Sequence, residues 1–262
     1  MLLKILTFIL TSVAIYFALS TVLIVIGAPK KRISPQKSLA FNELRLDYSR
    51  LPKIQQFQTR NGTPLSYRHY VSQSNQIVIL LHGSGWHSRY FLPLAGFLSS
   101  KGVAQVYTPD LRGHGRAPAR RGDIDYIDQL EDDLADFIAM IKHDHPHARL
   151  IVGGHSSGGG LAISFAGSQY GKQAHAYILL APFLKYNAPT IRANSGGWAQ
   201  PYTQRIIGLS MLNNVGIHWF DYLPVIAFNM PEEFRDRTET LIYSHRLNTG
   251  YRKYLMIVRS NA

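Results

Sequence analysis

Four short apolar runs punctuate the middle of the chain: Ile77-Val-Ile-Leu-Leu81, Val103 to Tyr107, Leu150-Ile-Val152 and Ala176-Tyr-Ile-Leu-Leu180. Continuous apolar runs of strand length suit strands buried on both faces of a parallel sheet. Between them the period changes. Tyr90 to Leu98 and Leu161 to Ala166 read as helices, and Tyr126, Ile127, Leu130, Leu134, Phe137, Ile138 and Ile141 recur at the three- and four-residue spacing of one apolar helix face. Strand and helix in alternation predict a mostly parallel α/β sheet flanked by helices. Ahead of it, Phe57 to Arg60 and Leu65 to Tyr70 flank Asn61-Gly62 and predict a hairpin, with Asn-Gly supplying the positive φ angles of a tight turn.

The pattern changes at both ends. From Ile5 to Ala28 there are 24 residues without a charge, bounded by Lys4 and by Lys30-Lys31-Arg32, enough for a helix to span a bilayer core of about 30 Å. A signal peptide cut near Ala18-Leu-Ser20 is the rival, but Val22 to Ile26 continues the apolar run past that site. Residues 1–28 therefore read as a single-pass anchor or signal segment, in a bacterial-type inner membrane, with the side of the membrane open. Residues 29–54, polar and mixed in charge, read as a linker. After Leu180 the alternation stops, and about 182–251, with Pro182, Pro189, Pro201, Pro224 and Pro231 among short amphipathic stretches, read as a helical cap over a domain spanning 55–262.

Composition narrows the function classes. Hydrophobic residues make up 46% and charged residues 17%, which supports a sizeable core and argues against disorder. The net charge of +12 is scattered in short clusters, so attraction to an anionic membrane surface is a better use for it than nucleic-acid binding. The absence of cysteine excludes disulfides, thiolate metal sites and a cysteine nucleophile. Neither a dinucleotide-binding glycine fingerprint nor a Walker A pattern occurs, so no cofactor is implied. His143-Asp-His145-Pro-His147 reads as a polar helix end, so no metal is implied either.

The chemistry concentrates at Gly154-His155-Ser156-Ser157-Gly158, between a predicted strand and a predicted helix. That context gives a G-x-S-x-G match its meaning as a nucleophile elbow with Ser156 at its tip. His82-Gly83-Ser84-Gly85 follows the first apolar strand, where the backbone N–H of Ser84 is expected to join that of Ser157 at a developing oxyanion. Asp110-Leu-Arg112-Gly-His114-Gly115 follows the next strand.

In these three motifs, their order and their intervals, the chain resembles the α/β-hydrolase superfamily, and within it the monoglyceride lipase, lysophospholipase and serine aminopeptidase group. The resemblance covers about residues 55–185 and the cap only loosely. It implies a serine hydrolase acting through an acyl-enzyme on carboxylic esters such as monoacylglycerols or lysophospholipids, with Asp110, Arg112 and His114 structural. A serine needs a histidine base oriented by a carboxylate, in the chain order Ser, Asp or Glu, His. Asp221 and His245 have that order and separation, yet both lie in cap-like segments, and His175 sits at the wrong end of its strand. Tyr254 to Val258 reads as one further strand, after which the resemblance implies more chain than follows. The sequence thus reads as truncated or frame-shifted and nearly inactive in this form. Two other functions stay open: a non-catalytic membrane-anchored binding protein, and an aminopeptidase acting on short peptides. Nothing in the sequence sets an oligomeric state.

Overall fold

The computed structural model describes residues 1–29, 46–184 and 197–251. The linker positions 30–45, residues 185–196 and the apolar run Tyr254 to Val258 lie outside the described residues. The chain opens with one unbroken helix, α1 (Leu2–Ile26). β1 (Gln55–Gln58) and β2 (Pro64–Tyr70) then pair antiparallel, as the hairpin pattern predicts. Their connection is not the tight Asn-Gly turn. Gln58 and Pro64 are the last partners in register, and Thr59 N–H closes the loop on the Thr63 carbonyl at 3.2 Å. Of the two expected residues only Gly62 has positive φ, 79°. Asn61 instead accepts hydrogen bonds from the Thr59 hydroxyl and the Thr63 N–H, so a side chain holds the loop.

β3 (Gln76–Leu81), α2 (Leu92–Ser100), β4 (Gln105–Pro109), α3 (Gln129–Asp144), β5 (Arg149–His155), α4 (Ser157–Gly167) and β6 (Ala176–Leu180) follow in alternation. The sheet order is β1-β2-β4-β3-β5-β6, with β4, β3, β5 and β6 mutually parallel. β3 is central and buries both faces. Ile77, Ile79 and Leu81 pack with the Leu130, Phe137 and Ile141 side of α3 and with Leu161 and Phe165 of α4. Val78 and Leu80 pack on the other side with Phe91 and Ala95, at the start of α2. Each such side chain, fully removed from water, contributes about 2 kcal/mol. α3 places Glu131 and Asp132 in its first turn and Lys142 and His143 in its last, the charge order its dipole favours.

The segment expected to be a helical cap is of mixed type. β7 (Ala199–Pro201), β8 (Pro224–Phe228) and β9 (Ile242–Ser244) form a second, antiparallel sheet in the order β7-β8-β9, accompanied by α5 (Thr203–Asn214) and α6 (His245–Gly250). Pro224-Val-Ile-Ala-Phe228 is too short and too proline-bound for a helix. Its Val225 and Ala227 are buried, and it pairs with strands on both sides. α5 lies along the second half of α1.

Candidate active site

β5 ends at His155 and α4 begins at Ser157, which leaves Ser156 alone on the turn with φ 53° and ψ −119°. A non-glycine residue in such a conformation costs about 1–3 kcal/mol and persists only where its surroundings over-determine it. Here they do. A Cβ at position 154 would come within 2.1 Å of the Gly158 carbonyl oxygen, and one at 158 within 2.2 Å of the Leu81 carbonyl oxygen. Only glycines let β3, β5 and α4 close on the turn. The Ser156 N–H donates to the Leu180 carbonyl at 3.1 Å, and its own carbonyl accepts from Phe183 N–H at 2.8 Å.

His82-Gly83-Ser84-Gly85 leaves the end of β3 beside this turn, and Ser84 Oγ donates to Ser157 Oγ at 2.9 Å. Two tyrosine hydroxyls pin the loop. Gly83 N–H donates to Tyr90 Oη and Gly85 N–H to Tyr243 Oη, each at 2.9 Å. The Ser84 peptide is therefore fixed from both sides. Ser157 opens α4, so its N–H has no acceptor within the helix. Behind each tyrosine stands a histidine whose protonation follows from its partners. His114 Nδ1 donates to the Arg112 carbonyl at 3.0 Å, which leaves Nε2 to accept the Tyr243 hydroxyl proton at 2.7 Å. Tyr90 Oη likewise donates to His155 Nδ1 at 3.1 Å. Burial pushes His155 down and His114 well below the ordinary histidine value, the latter with help from neighbouring His82. Both rings are therefore neutral acceptors.

Ser84, Ser156 and Ser157 line an open cleft, with Phe183, Trp198, Phe228 and Tyr243 among its walls. Asp221 and His245 are brought together, but elsewhere. His245 Nδ1 stands 3.1 Å from Asp221 Oδ1, off the line a hydrogen bond needs, and both residues are buried. Asp221 Oδ2 accepts from His218 Nδ1 at 3.1 Å and from Asn213 Nδ2 at 3.0 Å. Burial pushes the Asp221 carboxyl up, but His245, His218 and Asn213 outweigh it and hold the group below the usual carboxylate range. Among the described residues that line the Ser156 cleft there is no histidine. His175 accepts from Leu150 N–H at 3.1 Å, at the start of β5 and far from its Ser156 end.

A family profile described as serine aminopeptidase, S33, matches residues 72–220, more than half of the chain and the whole of the elbow and its loop. The chain belongs to that family. As an S33 member it is 31% identical over 106 residues to a monoacylglycerol lipase of Mycolicibacterium smegmatis, covering 40% of this chain and 37% of that one. It spans about two fifths of the length of the curated relatives it matches. A soluble variant of monoglyceride lipase from Saccharomyces cerevisiae superposes with a TM-score of 0.62 at 18% identity, over 83% of this chain and 72% of that one. A thermostable carboxyl esterase from Bacillus coagulans gives 0.56 at 18% identity, over 79% and 73%. These likenesses show the α/β-hydrolase fold.

In this S33 chain the Asp110 to Gly115 turn is braced by buried polar contacts. Asp110 accepts from Ser88 N–H at 2.8 Å, and Arg112 holds Asp133 through two bonds of 2.7 Å. Burial raises Asp110, but His87 and Ser88 outweigh it and bring the carboxyl down to about 2. Sequence reasoning missed Tyr90 and Tyr243. Tyr90 had no signal beyond its place at a helix start. Tyr243 meets Gly85 and His114 across 158 and 129 residues of chain, and no local pattern announces such a meeting. Among the described residues no group of three histidine or carboxylate side chains is placed to hold a metal ion.

Proposed function

We propose that Ser156 is the nucleophile of a membrane-tethered serine hydrolase that forms an acyl-enzyme on carboxylic esters of the monoacylglycerol or lysophospholipid kind. The observation that carries this reading is the strained Ser156 backbone at the β5–α4 junction, facing a loop whose flanking amides are already committed to Tyr90 and Tyr243. In the proposed step the Ser156 Oγ–acyl carbon bond forms, the carbonyl oxygen takes the charge, and the N–H groups of Ser84 and Ser157 receive it. Each donor is worth about 3 kcal/mol in the transition state. Collapse breaks the acyl carbon–alkoxy bond and expels the alcohol, which carries off the proton that Ser156 Oγ lost, and water then hydrolyses the acyl-enzyme, releasing the acid and returning a proton to Ser156. The aromatic walls of the cleft and the monoacylglycerol lipase relative favour an acyl chain as the group bound. The tether is α1, a helix of 25 residues long and apolar enough to cross a bilayer.

A second reading, an ester-binding protein without turnover, is favoured by one observation: the Asp221–His245 pair does not line the Ser156 cleft. An aminopeptidase would use the same serine on short peptides. Labelling of the full chain with a fluorophosphonate probe separates catalysis from binding. Labelling that Ser156→Ala abolishes supports the nucleophile, and hydrolysis of a monoacylglycerol but not of an aminoacyl anilide then fixes the ester class. A wild-type chain that remains unlabelled while retaining an acylglycerol analogue would sink the catalytic reading.

A further inference from the structure

The second half of α1 is built into the domain. Tyr16 Oη donates to the Met211 carbonyl at 2.6 Å, and Arg205 Nε donates to the Ile24 carbonyl at 3.1 Å. Between these bonds Ser20 is fully buried against Gly208, where a Cβ would come within 2.6 Å of the Ser20 carbonyl oxygen. Residue numbers fall along α5 as they rise along α1, so the two helices are antiparallel. The C-terminal end of α5 reaches the level of Tyr16, midway along α1. Beyond it the 215–222 loop is held at that end by Asn213 Nδ2 donating to Asp221. This loop carries Val215, Trp219, Phe220 and Tyr222, all exposed, with Trp219 at 80%.

The arithmetic of a membrane helix then constrains the domain. From Leu2 to Ile15 α1 extends about 21 Å at 1.5 Å per residue, short of a hydrocarbon core of about 30 Å. Crossing the core takes about 9 Å more of α1, which brings the end of α5 and the loop beside it to the membrane boundary and up to about 9 Å within it. The side chains there suit that depth, since tryptophan and tyrosine favour the interface. The outward side of α1 at the seam, including Leu19, Val22 and Ile26, is exposed and apolar and continues the same surface. Past α1 the sequence runs on into Lys30-Lys31-Arg32, in a chain of net charge +12, a composition that favours an anionic surface.

We infer that the α1–α5 seam and the 215–222 loop form a bilayer-docking surface, with Trp219, Phe220 and Tyr222 seated at the boundary of headgroups and hydrocarbon while α1 passes deeper. This rests on the reading of α1 as a membrane helix, not on catalysis. It also makes α1 a retained part of the fold, because removing residues up to Ser20 would uncover Gly208 and Met211.

The chain has no cysteine, so single spin labels report cleanly. Full chains carrying Trp219→Cys, Ile9→Cys or Lys101→Cys would be labelled and reconstituted into vesicles of mixed phosphatidylcholine and phosphatidylglycerol. Collision rates with oxygen, which partitions into lipid, and with a water-soluble nickel chelate would then be compared. The labels at 219 and 9 are expected to show a several-fold higher oxygen-to-nickel ratio than the label at 101. A 219 label as open to nickel as 101, with the 9 label protected, overturns the docking surface and leaves the anchor standing. A 9 label open to nickel removes the anchor and the docking together. Protection at 219 accompanied by spin–spin broadening that unlabelled chain dilutes away also overturns the proposal, because a second copy then occupies the surface.

Discussion

Ser156 keeps its conformation because its two glycine neighbours leave no room for anything larger. An added methyl at 158 would meet the Leu81 carbonyl at 2.2 Å and the His82 carbonyl at 2.6 Å, both backbone atoms of the central strand and the loop it feeds. Neither can yield without moving β3. Gly158→Ala is therefore expected to destabilise the fold by about 3 kcal/mol, at the upper end of overpacking costs, read as a lower urea midpoint at unchanged slope. A smaller loss, below about 1 kcal/mol, would mean that the elbow relaxes in solution. Tyr243 poses a subtler test. Its hydroxyl accepts from Gly85 N–H and donates to His114, so Tyr243→Phe strands a buried N–H and a buried ring nitrogen at a cost of about 1–3 kcal/mol each. If the loop serves an oxyanion, the fluorophosphonate labelling rate of Ser156 should fall several-fold beyond any change in melting temperature. A rate that follows stability alone would leave Tyr243 as a core residue.

At the scale of elements, legibility followed the range of the interactions. The parallel strands were readable because burial on both faces of β3 or β5 demands a continuous apolar run, and a run is local. The elbow was readable because its signature lies within five residues, although only Gly154 is required by atoms of that turn, and Gly158 by the Leu81 and His82 carbonyls far back along the chain. β8 and β9 were not, because their pairing joins Pro224 to Ser244 and Ala227 to Ile242 across an intervening loop, and short proline-bound segments carry little period of their own. The hairpin turn failed on a detail: the Asn61 side chain offered the loop another way to close. β6 raises the element-scale prediction. Among the described residues it ends the sheet, and Ile178 and Leu179 stand 41% and 44% exposed on it. An apolar sheet edge templates pairing with another chain, and a lysine on it is a recurrent remedy. Ile178→Lys is expected to lower concentration-dependent association of the detergent-solubilised chain in sedimentation analysis without altering its fold. An unchanged mass distribution would assign any association to another surface, α1 foremost.

For the whole molecule, the buried histidines that organise the site also set how it responds to acid. His82 Nε2 accepts from Leu111 N–H at 3.0 Å, so Nδ1 carries the proton and donates to the Gly83 carbonyl at 3.0 Å. The ring is neutral and wholly enclosed, and burial lowers it to about 4 from an ordinary 6.5. His114, beside it, is lowered further in the same direction. A histidine lowered by folding binds its proton more readily in the unfolded chain. Stability is therefore complete above the unfolded value and is lost as pH falls from 6.5 toward the folded one. One such group loses about 1.4 kcal/mol per pH unit within its window, which for His82 amounts to about 3 kcal/mol between pH 6.5 and 4. Asp110 acts in a separate window. Its carboxyl is lowered from 3.8 to about 2, so the stability it contributes is intact above 3.8 and disappears only below that. Unfolding free energies from urea titrations at pH 7.5, 6 and 5 should thus fall progressively before the Asp110 carboxyl is protonated. His114→Gln, which keeps a donor and an acceptor but does not titrate, should flatten that slope by about one proton's worth. A slope unchanged in the variant, or stability constant down to pH 5, would mean that water reaches these rings and that the tyrosine–histidine pairs behind the Ser84 loop are looser than their distances imply.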